Sequence, residues 1–297
     1  MRPHLRTRIN ELLDEFPADG RVDFVADFAK RLPIWTVGRF IFGAPETDFQ
    51  MINDWSDQFF TTLMPVAPRE EYLRTVDTMI EMHRYIKSNI DRFREQHDEG
   101  VLLSRLIRVH EKTGDAPLSD EEMISMMQVM LLAGHDTTRQ TLANSLFELA
   151  RQPVLMERMR ADRSLVPKFI NEVLRMYAAA NVTPRIARVD ADVNGTRIPA
   201  GSMVFMAWGS ANRDDKLHPD PDRFDVDRPD ARTHLSFGWG IHHCVGAHLA
   251  RAQIALSLEQ VLDRYSGARL DISESEIDYA PSMNTRSLMS LPLVLQA

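Results

Sequence analysis

Phe237-Gly238-Trp239-Gly240-Ile241-His242-His243-Cys244-Val245-Gly246 decides the reading of this chain. It contains the only cysteine in 297 residues. A lone cysteine is more often a small buried hydrophobe than a reactive group, so its neighbours must argue otherwise. The segment from about Val245 to Tyr265, closed by Gly267, reads as a helix that begins directly after the sulfur. A helix N-terminus offers unpaired N–H groups and a partial positive charge, and both stabilise a thiolate. Gly238 and Gly240 permit tight turns, and Gly246 removes a side chain where a flat macrocycle would approach the backbone.

Two metal readings suit such a sulfur. Zinc would take Cys244 with His242, His243 or His248, but it usually wants four tetrahedral ligands, and the sequence shows no second Cys/His cluster. Haem needs one protein ligand. A thiolate opposite the oxygen-binding side pushes electron density toward iron and favours O–O cleavage.

Bulk properties narrow the class. Lys+Arg 35 against Asp+Glu 43 leaves a net charge of −8, which argues against non-specific nucleic-acid binding. One cysteine forbids an intrachain disulfide and suits the cytoplasm. Met1 to Leu5 has no apolar core like that of a signal peptide, and no run of about 18 apolar residues exists to span a membrane.

Outward from the cysteine, the chain reads as mostly α with a minor β component. Leu5, Ile9, Leu12, Leu13 and Phe16 share a helical face, and 23–42 and 71–96 are helical in composition. Breaks fall at Gly43-Ala44-Pro45, from Pro65 to Pro68, and at Thr113-Gly114-Asp115. Ser119 and Glu122 form a capping box, with Leu118 and Met123 as a hydrophobic staple. The helix that starts there meets no proline before Pro153 and is apolar on more than one face, so it is expected to be central and buried. A shorter helix follows Pro167. The segment 182–207, with Asn194-Gly195 and Pro199-Ala200-Gly201, reads as short strands and turns, and Leu291, Leu293 and Leu295 alternate as a last strand.

The stretch Phe237 to Gly246, continuing to Leu249-Ala250-Arg251, closely resembles the haem-binding signature of the cytochrome P-450 monooxygenases, especially the soluble bacterial kind. By that resemblance, Cys244 is the axial ligand of haem b (iron protoporphyrin IX), His242 hydrogen-bonds a propionate and Phe237 packs on the thiolate side. Three further matches lie in family order. Ala133-Gly134-His135-Asp136-Thr137-Thr138 resembles the oxygen-activation segment, in which Thr137 would hydrogen-bond dioxygen and Asp136 would pass protons. From the residues alone, those threonines could equally bond back to carbonyls one turn earlier. Glu172 and Arg175 lie three apart on one helical face, which alone suits a surface ion pair. They resemble the family's buried Glu-x-x-Arg pair, whose third member is expected to be Arg223 in Pro221-Asp222-Arg223-Phe224. Pro184-Arg185-Ile186-Ala187 resembles the strand whose arginine binds a haem propionate, and Arg185 suits that role better than Arg188. Ala211-Asn212-Arg213-Asp214 also follows the bacterial pattern, although Asp215 stands where proline is usual.

The resemblance runs from about residue 5 to the end, as one cytochrome P-450-like domain over 1–297 expected to lack the fold's N-terminal helices and sheet region. It implies a monooxygenase that inserts one atom of O2 into a small organic substrate. No nicotinamide or flavin fingerprint is visible, so electrons are expected through a ferredoxin or a flavin-containing reductase. The alternative is a non-catalytic haem-binding fragment or pseudoenzyme of the same lineage.

Overall fold

The structure, a computed structural model, describes residues 1–62, 68–280, 282 and 285–297, apart from the side chains of 59–62. Helix dominates, as expected, and the strands form small antiparallel sheets. The backbone divides into two compact units: Met1–Phe16 with Val25–Arg139, and Pro17–Phe24 with Gln140–Ala297.

In the first unit, helix α1 (Arg2–Asp14) buries Leu5, Ile9, Leu12 and Leu13 on the expected face. The segment expected as one helix over 23–42 is less regular. Its helical part is a π-helical turn Val25–Ala29, helix α2 (Arg31–Thr36) and a second π-helical turn Val37–Phe42. Pro33 has no N–H to give the carbonyl of Ala29, and the widened turn before it absorbs that defect, with Lys30 N–H donating five residues back to Val25 O at 2.9 Å. Gly43 ends the run at φ +62, where a side chain would collide with Phe93 and Val101.

Helices α3 (Phe49–Thr62) and α4 (Arg69–Glu95) follow, then the short α5 (Leu102–Ile107) and α6 (Val109–Thr113). Gly114, at φ +76, closes α6 at the expected break, whereas the break over 65–68 falls, except for Pro68, outside the described residues. The core gathers Phe42, Ile52, Trp55, Met82, Ile86, Ile90, Met127 and Leu131.

Helix α7 (Asp120–Arg151) is the long helix announced by the capping box. Ser119 N–H donates to Glu122 Oε2 at 2.8 Å, and Glu122 N–H donates to Ser119 Oγ at 3.2 Å. Ser119→Ala should therefore cost about 1 kcal/mol of stability, read as a lower urea midpoint with unchanged slope. The first turns of α7 are amphipathic, with Val129 exposed, whereas residues 140–149 are buried on every face. The expectation of burial on more than one face holds for that second stretch.

In the second unit, β1 (Arg21–Asp23), β7 (Pro292–Gln296) and β6 (Gly267–Leu270) form an antiparallel sheet with β7 in the middle. Arg21–Asp23 is thus strand, and the helical expectation fails at its first residue, Asp23. Leu291, Leu293 and Leu295 are buried, as their alternation requires. The five-residue strands β2 (Val182–Ile186) and β5 (Met203–Ala207) pair antiparallel, with Arg185 opposite Val204. Between them lies the hairpin of β3 (Ala191–Val193) and β4 (Thr196–Ile198), whose Asn194-Gly195 turn has both φ angles positive. Helices α8 (Pro153–Ala161), α9 (Leu165–Met176) and α11 (Ala247–Arg264) supply the apolar core, and the single turn α10 (Trp208–Ala211) leads into the loops before Cys244.

Candidate active site

The cysteine loop is built by two left-handed glycines. Gly238 has φ +68 and Gly240 φ +71, and between them the chain reverses so that Cys244 N–H donates to Phe237 O at 2.8 Å. A 3-10 turn spans Gly240–His242, and His243 N–H donates to Gly240 O at 3.0 Å. Helix α11 does not begin directly after the sulfur. Its first residue is Ala247 and its N-cap is Gly246, so Cys244 stands in the approach to the helix. A Cβ on Gly246 would lie 3.8 Å from Cys244 Sγ, an ordinary contact. Packing within the chain therefore does not demand that glycine, and a group lying against the loop would.

Cys244 is exposed, and the side chains flanking it are apolar and exposed as well: Ile241 at 96%, Val245 at 88% and Trp239 also well above half. Contiguous apolar exposure marks a binding surface, and this one surrounds a soft sulfur donor. A flat, largely apolar macrocycle bound through its metal fits that donor set. His242 has no hydrogen-bond partner among the described residues and stays available to an anion. Among the described residues Arg185 donates only to the carbonyl of Pro184, at 2.8 Å, with its side chain otherwise exposed. Among the described residues, no group of three or more His, Cys, Asp or Glu is placed to hold a metal ion, so Cys244 has no companion ligands of the kind zinc takes.

Phe237 anchors the loop from below. Its ring lies 5.8 Å from that of His234 and 6.4 Å from that of His243, with the Arg251 guanidinium 5.1 Å from its centroid.

Behind the loop is a fully buried ion network. Arg175 grips Glu172 bidentately, Nε to Oε2 and Nη2 to Oε1, both at 2.8 Å, and gives Nη1 to the carbonyls of Asn212 (2.9 Å) and Pro221 (2.8 Å). The third member is Arg228 and not Arg223. Arg228 Nε donates to Glu172 Oε1 at 3.2 Å, and its Nη atoms donate to the carbonyls of Pro219, Asp220 and Arg223. Arg223 enters only through that carbonyl. Its side chain is 70% exposed and faces Asp225, because the turn closed by Arg223 N–H on Asp220 O points it outward.

Asn212, part of the Ala211-Asn212-Arg213-Asp214 stretch but given no role by the sequence, ties this network to the cysteine loop. Its carbonyl receives Arg175, its Oδ1 accepts from Leu235 N–H at 2.7 Å, and its Nδ2 donates to Ser236 Oγ at 2.8 Å, immediately before Phe237. The available signal was the match of Ala211-Asn212-Arg213-Asp214 to the bacterial pattern.

The remaining candidates lie in the first unit. Thr137 Oγ1 donates to Ala133 O, four residues back, at 2.8 Å, which is the bonding expected of a threonine within a helix. Asp136 is buried and paired with Arg139 one turn on. Gly134 clears the way for Val37, whose Cγ2 would lie 3.1 Å from an added Cβ. His135 is fully buried, with Nδ1 3.4 Å from Ser56 Oγ and no partner for Nε2 among the described residues. Burial pushes its pKa down to about 4, partly opposed by the Asp136 carboxylate; burial and then the Arg251 cation push His234 down to about 4 also.

Both imidazoles are therefore neutral when folded but gain a proton on unfolding below the ordinary pKa of about 6.5. Between pH 6.5 and 4 the unfolded chain binds more protons, so stability should fall as pH drops through that window and level off below it. Urea midpoints measured from pH 7 to 4 test this, and His135→Gln should flatten the dependence.

Comparison with known proteins bears on the same residues. A cytochrome P-450 family model matches residues 46–278, which include every candidate named above. The chain is 35% identical over 283 residues to cyclomarin C epoxidase CymV of Salinispora arenicola, covering 94% of this chain and 69% of that protein. It is 33% identical over 297 residues to the mycinamicin IV hydroxylase/epoxidase of Micromonospora griseorubida, covering 99% of this chain and 72% of that one. Among solved structures, P450BioI in complex with an acyl carrier protein ligated to hexadec-9Z-enoic acid superposes with a TM-score of 0.91 at 27% identity, over 99% of this chain and 74% of that chain. On matches of that reach and identity, this chain belongs to the cytochrome P-450 family.

Proposed function

We propose that this oxidoreductase of the cytochrome P-450 monooxygenase type holds haem b through the Cys244 thiolate and hydroxylates or epoxidises a small organic substrate. For a hydroxylation the balance is RH + O2 + 2e⁻ + 2H⁺ → ROH + H2O, with the electrons drawn from NAD(P)H through a ferredoxin or a flavin-containing reductase. The carrying observation is the exposed thiol on a glycine-turned loop, flanked by exposed apolar side chains and braced by the Glu172–Arg175–Arg228 network. When bound, the haem supplies the site of dioxygen activation.

The chain's own residues do the rest. Cys244 would donate charge from a backbone held by Phe237 O, and Val245 and Ile241 present exposed apolar surface against which the macrocycle would lie. Arg185 and His242 offer donors to the propionates. Asp136, held by Arg139, would be the proton-passing carboxylate, and Thr137, whose hydroxyl donates to the Ala133 carbonyl, would be the hydroxyl donor on the oxygen side. No described helix is long and apolar enough to cross a membrane, and a lone cysteine suits action in the cytoplasm.

The test is substrate-dependent NAD(P)H consumption with surrogate redox proteins, followed by product analysis. Asp136→Asn should slow product formation by roughly 10² or more. Thr137→Ala should go on consuming NAD(P)H while much less of it yields product. Equal coupling in Thr137→Ala and wild type would remove Thr137 from oxygen activation, and the absence of any turnover across a broad substrate panel would favour a haem-binding relic.

A further inference from the structure

Arg251 carries a charge without an ionic partner. Its guanidinium is half-buried, yet among the described residues no carboxylate lies within ion-pair distance. Buried charges are ordinarily paired, and every partner of this one is neutral. Nη1 donates to Asn171 Oδ1 at 2.7 Å, and Nη2 lies 3.1 Å from Nε2 of His234, a ring whose Nδ1 accepts from Ser236 N–H. The cation also sits over the ring of Phe237. Burial, and then the nearby Arg232 cation, hold the Arg251 pKa below the usual arginine range, so its immediate surroundings oppose the charge. From the second turn of α11, seven residues after the cysteine, the guanidinium reaches the loop through Phe237, whose ring it covers and whose carbonyl accepts from Cys244 N–H.

We propose that Arg251 is a positioning residue of the Cys244 loop, whose unpaired guanidinium balances the thiolate and raises the electron affinity of the haem that Cys244 holds. The assignment rests on Cys244 being the haem ligand. Adding an electron to the haem adds negative charge, and a fixed cation in a poorly solvated position stabilises that state. Asn171 then has a defined purpose: its amide oxygen fixes the fork in place as a neutral acceptor without cancelling its charge.

Spectroelectrochemical titration of the haem-loaded full chain tests this with three variants. Arg251→Gln keeps a donor toward Asn171 but removes the charge. Arg251→Lys keeps the charge. Asn171→Asp keeps Arg251 and its acceptor but supplies the missing anion. At a fixed poise, Arg251→Gln and Asn171→Asp should each lower the ratio of reduced to oxidised haem by on the order of tenfold, while Arg251→Lys stays close to wild type. A purely structural arginine would be served as well or better by Asn171→Asp, so that variant separates the two roles, and with Arg251→Lys it decides the matter if Arg251→Gln does not fold.

Equal potentials in all four proteins overturn the assignment, as does a fall confined to Arg251→Gln, which would mark a packing effect. A wild-type chain that takes up no haem overturns the reading of Cys244 and, with it, the role of Arg251. Equal potentials in a chain that holds haem through sulfur overturn the role of Arg251 alone.

Discussion

Cys244→Ser is expected to abolish substrate oxidation, by about 10³-fold or more, while leaving the fold unchanged. The two halves of that expectation come from different facts. In the haem-free chain the side chain is exposed and packs against nothing that a hydroxyl would disturb, so there the change should alter stability by no more than about 0.5 kcal/mol. Chemically, the substitution removes the one group able to donate anionic charge to iron. A thiol ionises within reach of neutral pH, whereas a serine hydroxyl does not. Product formation and the urea midpoint of the haem-free chain, measured on one preparation, separate these effects. Retention of more than a tenth of wild-type oxidation would show that sulfur is not the ligand, and a large loss of stability would show that the loop is less self-supporting than its hydrogen bonds imply.

The ion network behind the loop should show the largest stability effect in the molecule. Arg228→Ala is expected to cost about 3–5 kcal/mol, because it leaves the fully buried Glu172 with one arginine where two now satisfy it and removes a donor from the carbonyls of Pro219, Asp220 and Arg223, the last two of which keep a second donor. Arg223→Ala should be nearly neutral, since that side chain reaches only a partly exposed aspartate. Arg228→Ala should also speed haem loss, because Arg175 and Glu172 hold the backbone that leads through Asn212 and Ser236 to Phe237. Denaturant titrations of both variants test the order. An Arg223→Ala chain as unstable as Arg228→Ala would refute the network described here.

These two arginines also show where the sequence could be read and where it could not. Local devices were legible, because a few adjacent residues determine each of them. The Ser119–Glu122 box started a helix where it was expected, Asn194-Gly195 turned a hairpin, and the glycines around Cys244 adopted the left-handed conformation they alone take readily. Glu172 and Arg175 meet one helical turn apart, as their spacing predicts.

What escaped depends on distant partners. Arg223 and Arg228 stand five residues apart in one loop, and only the tertiary path decides which guanidinium turns inward. Three residues, Arg21–Asp23, are too few to show a strand period, and their partner β7 lies some 270 residues further on. The helix start at Ala247 was placed too early because Val245 and Gly246 fit a first turn as well as an approach to one. The roles of Asn212 and Arg251 follow from what surrounds them and not from any pattern of spacing.

The central claim is that Cys244 binds haem iron as a thiolate. The most direct measurement is the optical spectrum of the dithionite-reduced, haem-loaded chain under carbon monoxide, recorded beside Cys244→Ser. Wild type should show the strongly red-shifted Soret band of a thiolate-ligated haem, and Cys244→Ser should lack it. A conventional carbonyl-haem spectrum from the wild-type chain, or the same band from both proteins, would contradict the account.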